Sequence, residues 1–430
     1  MIRGAAGGDP LTRRPPVLMI DRWHVRRPEL PMFPDVPHTG LPLSGLKIID
    51  CTIFQQGTYS TAMLADFGAD VIKVEGPDSP DPGRGLSEAY FQSYNRNKRG
   101  IVIDLKHPDG AETLLRLIDQ ADVFAQNMRQ GVMEKLGLGY AVMAARNPAL
   151  IYASASGYGS KGPHAKWAAM DILGQARGGT MAAQGPPDVP PVAAFGGMAD
   201  QVGAITLASG VLLALFHRLR TGEGQQVDAS LLGGQIALQS HNITTTLFTG
   251  RVPERQPRTQ LQATWNTYRC RDDRYLTVSM LQSDRWWPPF CEATAREAWL
   301  DDPRFCDARE RHNNRTELIA EMDALFLERD QMDWVEFLCA RGLPVAPVQD
   351  YGQVAVDPQV IANNYIVPFE LPDGTPTRIV GPAVQLGRSP GSIRHRAPEF
   401  GEHTEEVLLE FGFTWEDISR LHASGAIGPR

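Results

Sequence analysis

From about residue 43 onward, apolar and polar positions alternate in blocks of strand and helix length. Residues 46–50, Leu-Lys-Ile-Ile-Asp, form a short apolar run of strand type. The polar turn Gln55-Gln56-Gly57 follows, then a helical stretch over 60–67 that Gly68 stops. Residues 70–75, Asp-Val-Ile-Lys-Val-Glu, predict a second strand, closed by Gly76-Pro77. This is a βαβ pattern, and it recurs: strand over 100–105, helix over 110–118, strand over 122–125, then a further helical segment and a strand over 150–154. Such alternation predicts an α/β fold built on a mainly parallel sheet with helices on both faces. Sheets of this kind take ligands at the carboxyl ends of their strands.

Farther along, an apolar helix is predicted over about 204–219, followed by the tight turn at 220–228 and a strand. Residues 230–260 begin helical and then lose regularity around Pro253 and Pro257. A hairpin is predicted within 268–280 with Asp272-Asp273 at its turn, and helices continue to about 341 with Trp286, Trp287 and Trp334 as bulky apolar surface. The domain organisation expected from this is a Pro/Arg-rich extension over 1–42, the first part of a large domain over 43–254, a smaller domain over 255–345, and a return to the large domain over 346–430. The extension, with Arg13-Arg14-Pro15-Pro16, reads as a tail or as an extended arm on a surface.

Composition narrows the class. The chain has 430 residues, 42% hydrophobic and 21% charged, the balance of a globular protein. A formal net charge of −8 argues against nucleic acid as a partner. The cysteines Cys51, Cys270, Cys291, Cys306 and Cys339 are scattered, with no C-x-x-C pair and no metal-ligand spacing, so no metal is implied. No apolar run reaches the roughly 20 residues of a membrane span, and the N-terminus lacks a signal-peptide core. The expectation is a cytoplasmic protein without a membrane partner. The first βα turn is not G-x-G-x-x-G, and Walker A and G-x-S-x-G motifs are missing too. That argues against a nicotinamide or flavin dinucleotide as cofactor.

Asp200 stands out among the polar residues. It follows Gly196-Gly197-Met198-Ala199 and precedes the apolar helix. Small neighbours allow a substrate to approach the backbone closely, and a carboxylate near a helix start is favoured by the dipole. Taken alone, it reads first as a helix N-cap, and only the rest of the chain reverses that preference.

The surrounding motifs, in order, resemble the class III CoA-transferases, which include formyl-CoA transferase, carnitine CoA-transferases and α-methylacyl-CoA racemase. The resemblance spans about 43–426 and rests on residues 68–75 (Gly-Ala-Asp-Val-Ile-Lys-Val-Glu), 95–99 (Asn-Arg-Asn-Lys-Arg), Asp104-Leu105-Lys106, Asn127, Leu136-Gly137, Ala199-Asp200, 220–225 (Arg-Thr-Gly-Glu-Gly-Gln) and 401–404 (Gly-Glu-His-Thr). It implies a Rossmann-like large domain, a small domain and an interlocked homodimer. It also implies that Asp200 is the nucleophile in moving CoA from an acyl-CoA to a free carboxylic acid, through an aspartyl anhydride and then an aspartyl-CoA thioester. By position, Gln55, Gln56, Arg84, Ile103, Lys106, Asn127, Met128 and Lys135 are the implied CoA contacts. CoA phosphates also require gathered cations, and Lys98, Arg99, Lys106, Arg129 and Lys135 lie close in sequence.

The departures are informative. The racemase branch has His where this chain has Met170, and Met cannot act as acid or base. Asp171 falls where the formyl enzyme has Glu, so Met170 and Asp171 are expected at the substrate pocket, Asp171 reading equally as the N-cap of the helix that follows. Ile53 and Gly76 replace a His and an Arg of the formyl enzyme, and its covering glycine-rich loop is missing from 250–268. The competing readings are intramolecular CoA migration between two carboxylates using the same Asp, racemisation, and a non-catalytic CoA-binding protein.

Overall fold

The computed structural model describes residues 40–428. The N-terminal extension up to residue 39 lies outside the described residues. Six strands form one wholly parallel sheet: β1 (Lys47–Cys51), β2 (Asp70–Glu75), β3 (Lys98–Val102), β4 (Val123–Gln126), β5 (Ile151–Ser156) and β6 (Gln225–Ser230), in spatial order β3-β2-β1-β4-β5-β6. The order reverses at β1, whose neighbours are β2 and β4, and that reversal opens a crevice at the carboxyl ends.

The strands are apolar on both faces because both faces are covered. Ile49, Ile72, Ile101, Phe124 and Tyr152 point to one side, against the helix Pro108–Ile118 and the C-terminal helices Thr404–Glu410 and Trp415–Ala423. Ile48, Val71, Val123, Ile151 and Ala153 point to the other, against Leu64, Leu207 and Val211. A third cluster lies within 263–343, where the Trp287 and Trp299 rings stack 5.7 Å apart. Beside it a three-stranded antiparallel sheet forms from β7 (Trp265–Arg269), β8 (Tyr275–Ser279) and β9 (Val345–Pro347). The predicted hairpin is its first pair. The third strand escaped sequence reading because three residues carry too little periodicity. A separate antiparallel hairpin of β10 (Ile366–Glu370) and β11 (Pro376–Val380) is not expected from the sequence either.

The helices that build the crevice are α1 (Gln56–Asp66), α2 (Glu88–Asn95), α3 (Asp171–Arg177), α4 (Met198–Thr221) and α5 (Leu231–Leu238). Two differ from expectation. α1 begins at Gln56, so the polar turn is partly its first turn. α4 begins six residues early, at Met198, so Asp200 sits inside the helix's first turn. By length and composition α4 also meets the requirement for a membrane span, contrary to the expectation from the apolar runs. In the fold its Ala204, Leu207, Ala208, Val211 and Leu215 are buried.

Candidate active site

Asp200 owes its position to a cap supplied from elsewhere. The residue before α4, Gly197, is left-handed (φ +73°) and offers no side chain. Its positive φ favours glycine, and a Cβ there, 2.3 Å from Gln55 Oε1, would push that amide aside. Asp171, the first residue of α3, serves in its place. Its Oδ1 accepts the N–H groups of Ala199 (2.7 Å) and Asp200 (3.1 Å), and its Oδ2 accepts from Gln175 Nε2 (2.6 Å). Asp171 is therefore a helix cap, but of α4 rather than of its own helix.

That cap puts a second carboxylate beside Asp200. Burial, first, and the Asp171 charge, second, push the Asp200 carboxyl up to about 7. Among the described residues, no hydrogen bond or ion pair engages the Asp200 carboxylate oxygens. Its ionised form is thus less favoured than that of an ordinary carboxylate. Met170, just before Asp171, is mostly exposed.

The first βα turn faces Asp200 from below. Gln55 Nε2 donates to Tyr94 Oη at 2.5 Å, and Gln201 Nε2 donates to the same oxygen at 2.9 Å. Gln56 turns inward: it is buried, donates to the Ala229 carbonyl at 3.2 Å and packs on Gly203, where a Cβ would stand 2.7 Å from its Nε2. The turn is pinned at every step. Asn127 takes the Ile53 N–H (2.9 Å) and donates to the Ile53 carbonyl (2.7 Å). Asp81 accepts the Phe54 N–H (3.0 Å), while Lys73 and Lys98 donate to the Thr52 and Thr58 carbonyls, each at 2.9 Å. These bonds hold Phe54 at φ +60°, a conformation that costs roughly 1–3 kcal/mol without support.

Beneath the turn, Lys73–Asp81 (2.8 Å) and Lys98–Asp50 (2.9 Å) are fully buried ion pairs. Lys98 is consequently unavailable to a phosphate. Arg99 is engaged at the amino end of β3 by Asp70, Glu406 and Glu410, so it too leaves the expected cation cluster. Arg84 spends Nε and Nη2 on Glu75 and the Pro398 carbonyl, which leaves Nη1.

The remaining expected contacts converge. A cavity of about 340 Å³ at the carboxyl ends of β1 to β4 is walled by Ile53, Ile103, Leu105, Met128 and Leu136 and takes in the exposed Lys106. A second cavity, about 150 Å³, shares Met128 and adds Asn127, Arg129, Trp167 and Asp228. Lys135 is exposed on the short helix Val132–Lys135 that borders the first. Glu75, Asp78, Asp81 and Asp104 line the first cavity too, so Lys106 is the lysine in its lining and Lys135 lies outside it. Sequence reading missed Tyr94, Gln201, Lys73 and Asp81 as site-building residues. Lys73 lay within a motif already noted, whereas nothing local marked Tyr94.

Comparison with known proteins identifies the family. The family model described as CoA-transferase family III matches residues 43–404. The chain is 34% identical over 403 residues to an acyl-CoA transferase of Fusarium pseudograminearum, covering 90% of this chain and 88% of that protein. It is 32% identical over 389 residues to the succinate–glutarate CoA-transferase of Agrobacterium fabrum, covering 87% and 97%. Among solved structures it resembles a CAIB/BAIF family protein from Brucella suis, with a TM-score of 0.78 and 29% identity over 86% of this chain and 99% of that one. A family-model match over most of the chain, with relatives more than 30% identical along most of their length and a parallel six-stranded sheet, places the chain in CoA-transferase family III, as a CoA-transferase.

Proposed function

We propose that the enzyme moves CoA from an acyl-CoA to a free carboxylic acid through covalent intermediates on Asp200. What supports this reading is the Asp200 carboxylate, which no hydrogen bond or ion pair engages among the described residues and whose pKa burial and the Asp171 charge raise to about 7. The ionised carboxylate attacks the thioester carbonyl, expelling CoA thiolate and leaving an aspartyl anhydride. The thiolate then attacks the aspartyl carbonyl, forming an aspartyl-CoA thioester and releasing the first acid. The acceptor acid reverses both steps and leaves as the new acyl-CoA.

CoA is proposed to lie along the two joined cavities, with Ile103 and Met128 against its apolar parts. Lys106, Lys135 and the free Nη1 of Arg84 would meet its phosphates, and Gln55 and Asn127 would stand near the thioester, with Gln56 holding the turn from behind. Met170 and Asp171 would border the acyl group. The residues between 255 and 345, with their own apolar cluster, are proposed to act as a smaller domain. We also propose a homodimer. Leu213 and Phe216 on α4 and Leu247 and Phe248 beyond α5 are 59–86% exposed, an apolar surface that a second copy would cover.

The test is intact-mass spectrometry after incubation with a panel of acyl-CoAs headed by succinyl-CoA, with hydroxylamine as the trap. A hydroxamate on Asp200 that disappears in Asp200→Ala supports the reading. CoA binding without any adduct across the panel overturns it. Light scattering on the same samples reports the mass of one or two chains.

A further inference from the structure

Tyr94 carries more than its position on α2 requires. Its ring is held edge-on between Tyr90 (centroids 4.8 Å, 74°) and Tyr59 (5.6 Å, 75°), so the hydroxyl has a fixed location. Its oxygen accepts two hydrogen bonds, from Gln55 Nε2 and from Gln201 Nε2. A phenol has one proton to donate and two lone pairs. With both lone pairs taken by amide donors, its remaining capacity is its own O–H. Among the described residues no acceptor takes that proton. Gln201 is the residue next to Asp200, and the Asp200 charge acts on both Tyr94 and Tyr90. Burial, first, holds the phenol above its ordinary range, so it remains a donor across the working pH range.

Resting on the reading of Asp200 as nucleophile, we propose that the Tyr94 hydroxyl is a catalytic hydrogen-bond donor to the carbonyl oxygen of the acyl group attacked at Asp200. As an Asp200 oxygen bonds to the thioester carbon, the carbonyl π pair moves onto oxygen. The Tyr94 O–H donates to that oxyanion and keeps its proton. Collapse restores the carbonyl and breaks the carbon–sulfur bond, and CoA leaves as the thiolate. Two amides donating into the phenol oxygen polarise the O–H and make it a better donor than a lone tyrosine. The two glutamines are positioning residues: each sits on a different element, and together they fix the hydroxyl relative to both the turn and α4.

Tyr94→Phe tests this while keeping the ring between its neighbours. The measurement is single-turnover formation of the hydroxylamine-trapped adduct, with steady-state kcat and KM, using the fastest wild-type donor of the succinyl-CoA panel. The expected result is a roughly 10²-fold fall in the acylation rate and in kcat, the scale of losing one oxyanion donor, with KM for the donor nearly unchanged. An unchanged acylation rate overturns the proposal, as does a change confined to KM or to thermal stability. Should Tyr94→Phe fail to fold, 3-fluorotyrosine at position 94, a stronger donor of nearly the same size, raises the acylation rate if the proposal holds and leaves it unaltered if not. Asp200→Asn is assayed alongside. If it retains turnover, the Asp200 reading falls and takes this proposal with it. If it is inactive while Tyr94→Phe matches wild type, only the Tyr94 role falls.

Discussion

Two pairs of carboxylates, one fully buried and one half-buried, behave in opposite ways. Asp50 and Asp81, beneath the first βα turn, are each paired with a buried lysine. Burial pushes Asp50 up, but Lys98, Lys73 and the Thr52 hydroxyl outweigh it, and its pKa ends below the ordinary carboxylate range. Among the described residues Asp200 and Asp171 have no lysine or arginine partner; Asp171 accepts two backbone N–H groups and the Gln175 amide, and Asp200 accepts none of these. There burial and like charge act in the same direction. The first pair braces the turn; the second leaves one carboxylate with its charged form disfavoured. Desolvation is common to both, and the difference is whether a cation accompanies it.

The sharpest way to break this contrast is Asp200→Asn. Turnover should fall on the order of ten-thousand-fold, as for a lost nucleophile. Stability should move the other way. Asp200 has a folded pKa of about 7 against an ordinary 3.8, so its contribution is intact below the unfolded value and lost as pH rises through the folded one. The variant should therefore gain over wild type between about pH 4 and 7 and level off above, by on the order of 3 kcal/mol in urea unfolding at pH 8. At the paired site the sign reverses: Lys98→Met strands Asp50 and should cost about 3–5 kcal/mol, most of which the double variant with Asp50→Asn recovers.

Asp171→Asn sharpens the comparison within the reactive pair, because Asn caps a helix as well as Asp does. The acid limb of kcat/KM, expected near pH 7 in wild type, should shift down with the like charge gone. It should not reach the ordinary carboxylate value, since burial is the larger cause. Asp171→Ala removes the cap as well and should cost a further ~1 kcal/mol. The smallest effect belongs to Lys106→Ala, exposed at the cavity. CoA affinity by titration calorimetry should weaken about fivefold, ~1 kcal/mol, and less at high salt.

Much of this was legible in the chain. The apolar runs at Ile48-Ile49, Val71-Ile72 and Val123-Phe124 are continuous because each strand is buried on both faces, and that pattern specifies a parallel sheet without further information. The order of motifs from 68–75 to 401–404 marked the family, and Asp200 stood out through the small residues around it. The charged residues were not legible in the same way. Lys98, Arg99 and Lys106 lie within nine positions, yet one is buried against Asp50, one is paired at the opposite end of the strand, and only Lys106 reaches the cavity. A lysine's partner is set by three-dimensional neighbours, and sequence spacing carries no record of them.

The sequence by itself determined the sheet, its two apolar faces and the family, because hydrophobic periodicity is local and repeats along the chain. The tertiary structure alone decided what the site is made of. Asp171 caps a helix 27 residues away, Asn127 clamps a turn 74 residues back, and Tyr94 meets Gln201 across 107 residues. Hydrogen bonds and charge pairs act over about 3 Å of space, and folding chooses which distant residues come within it.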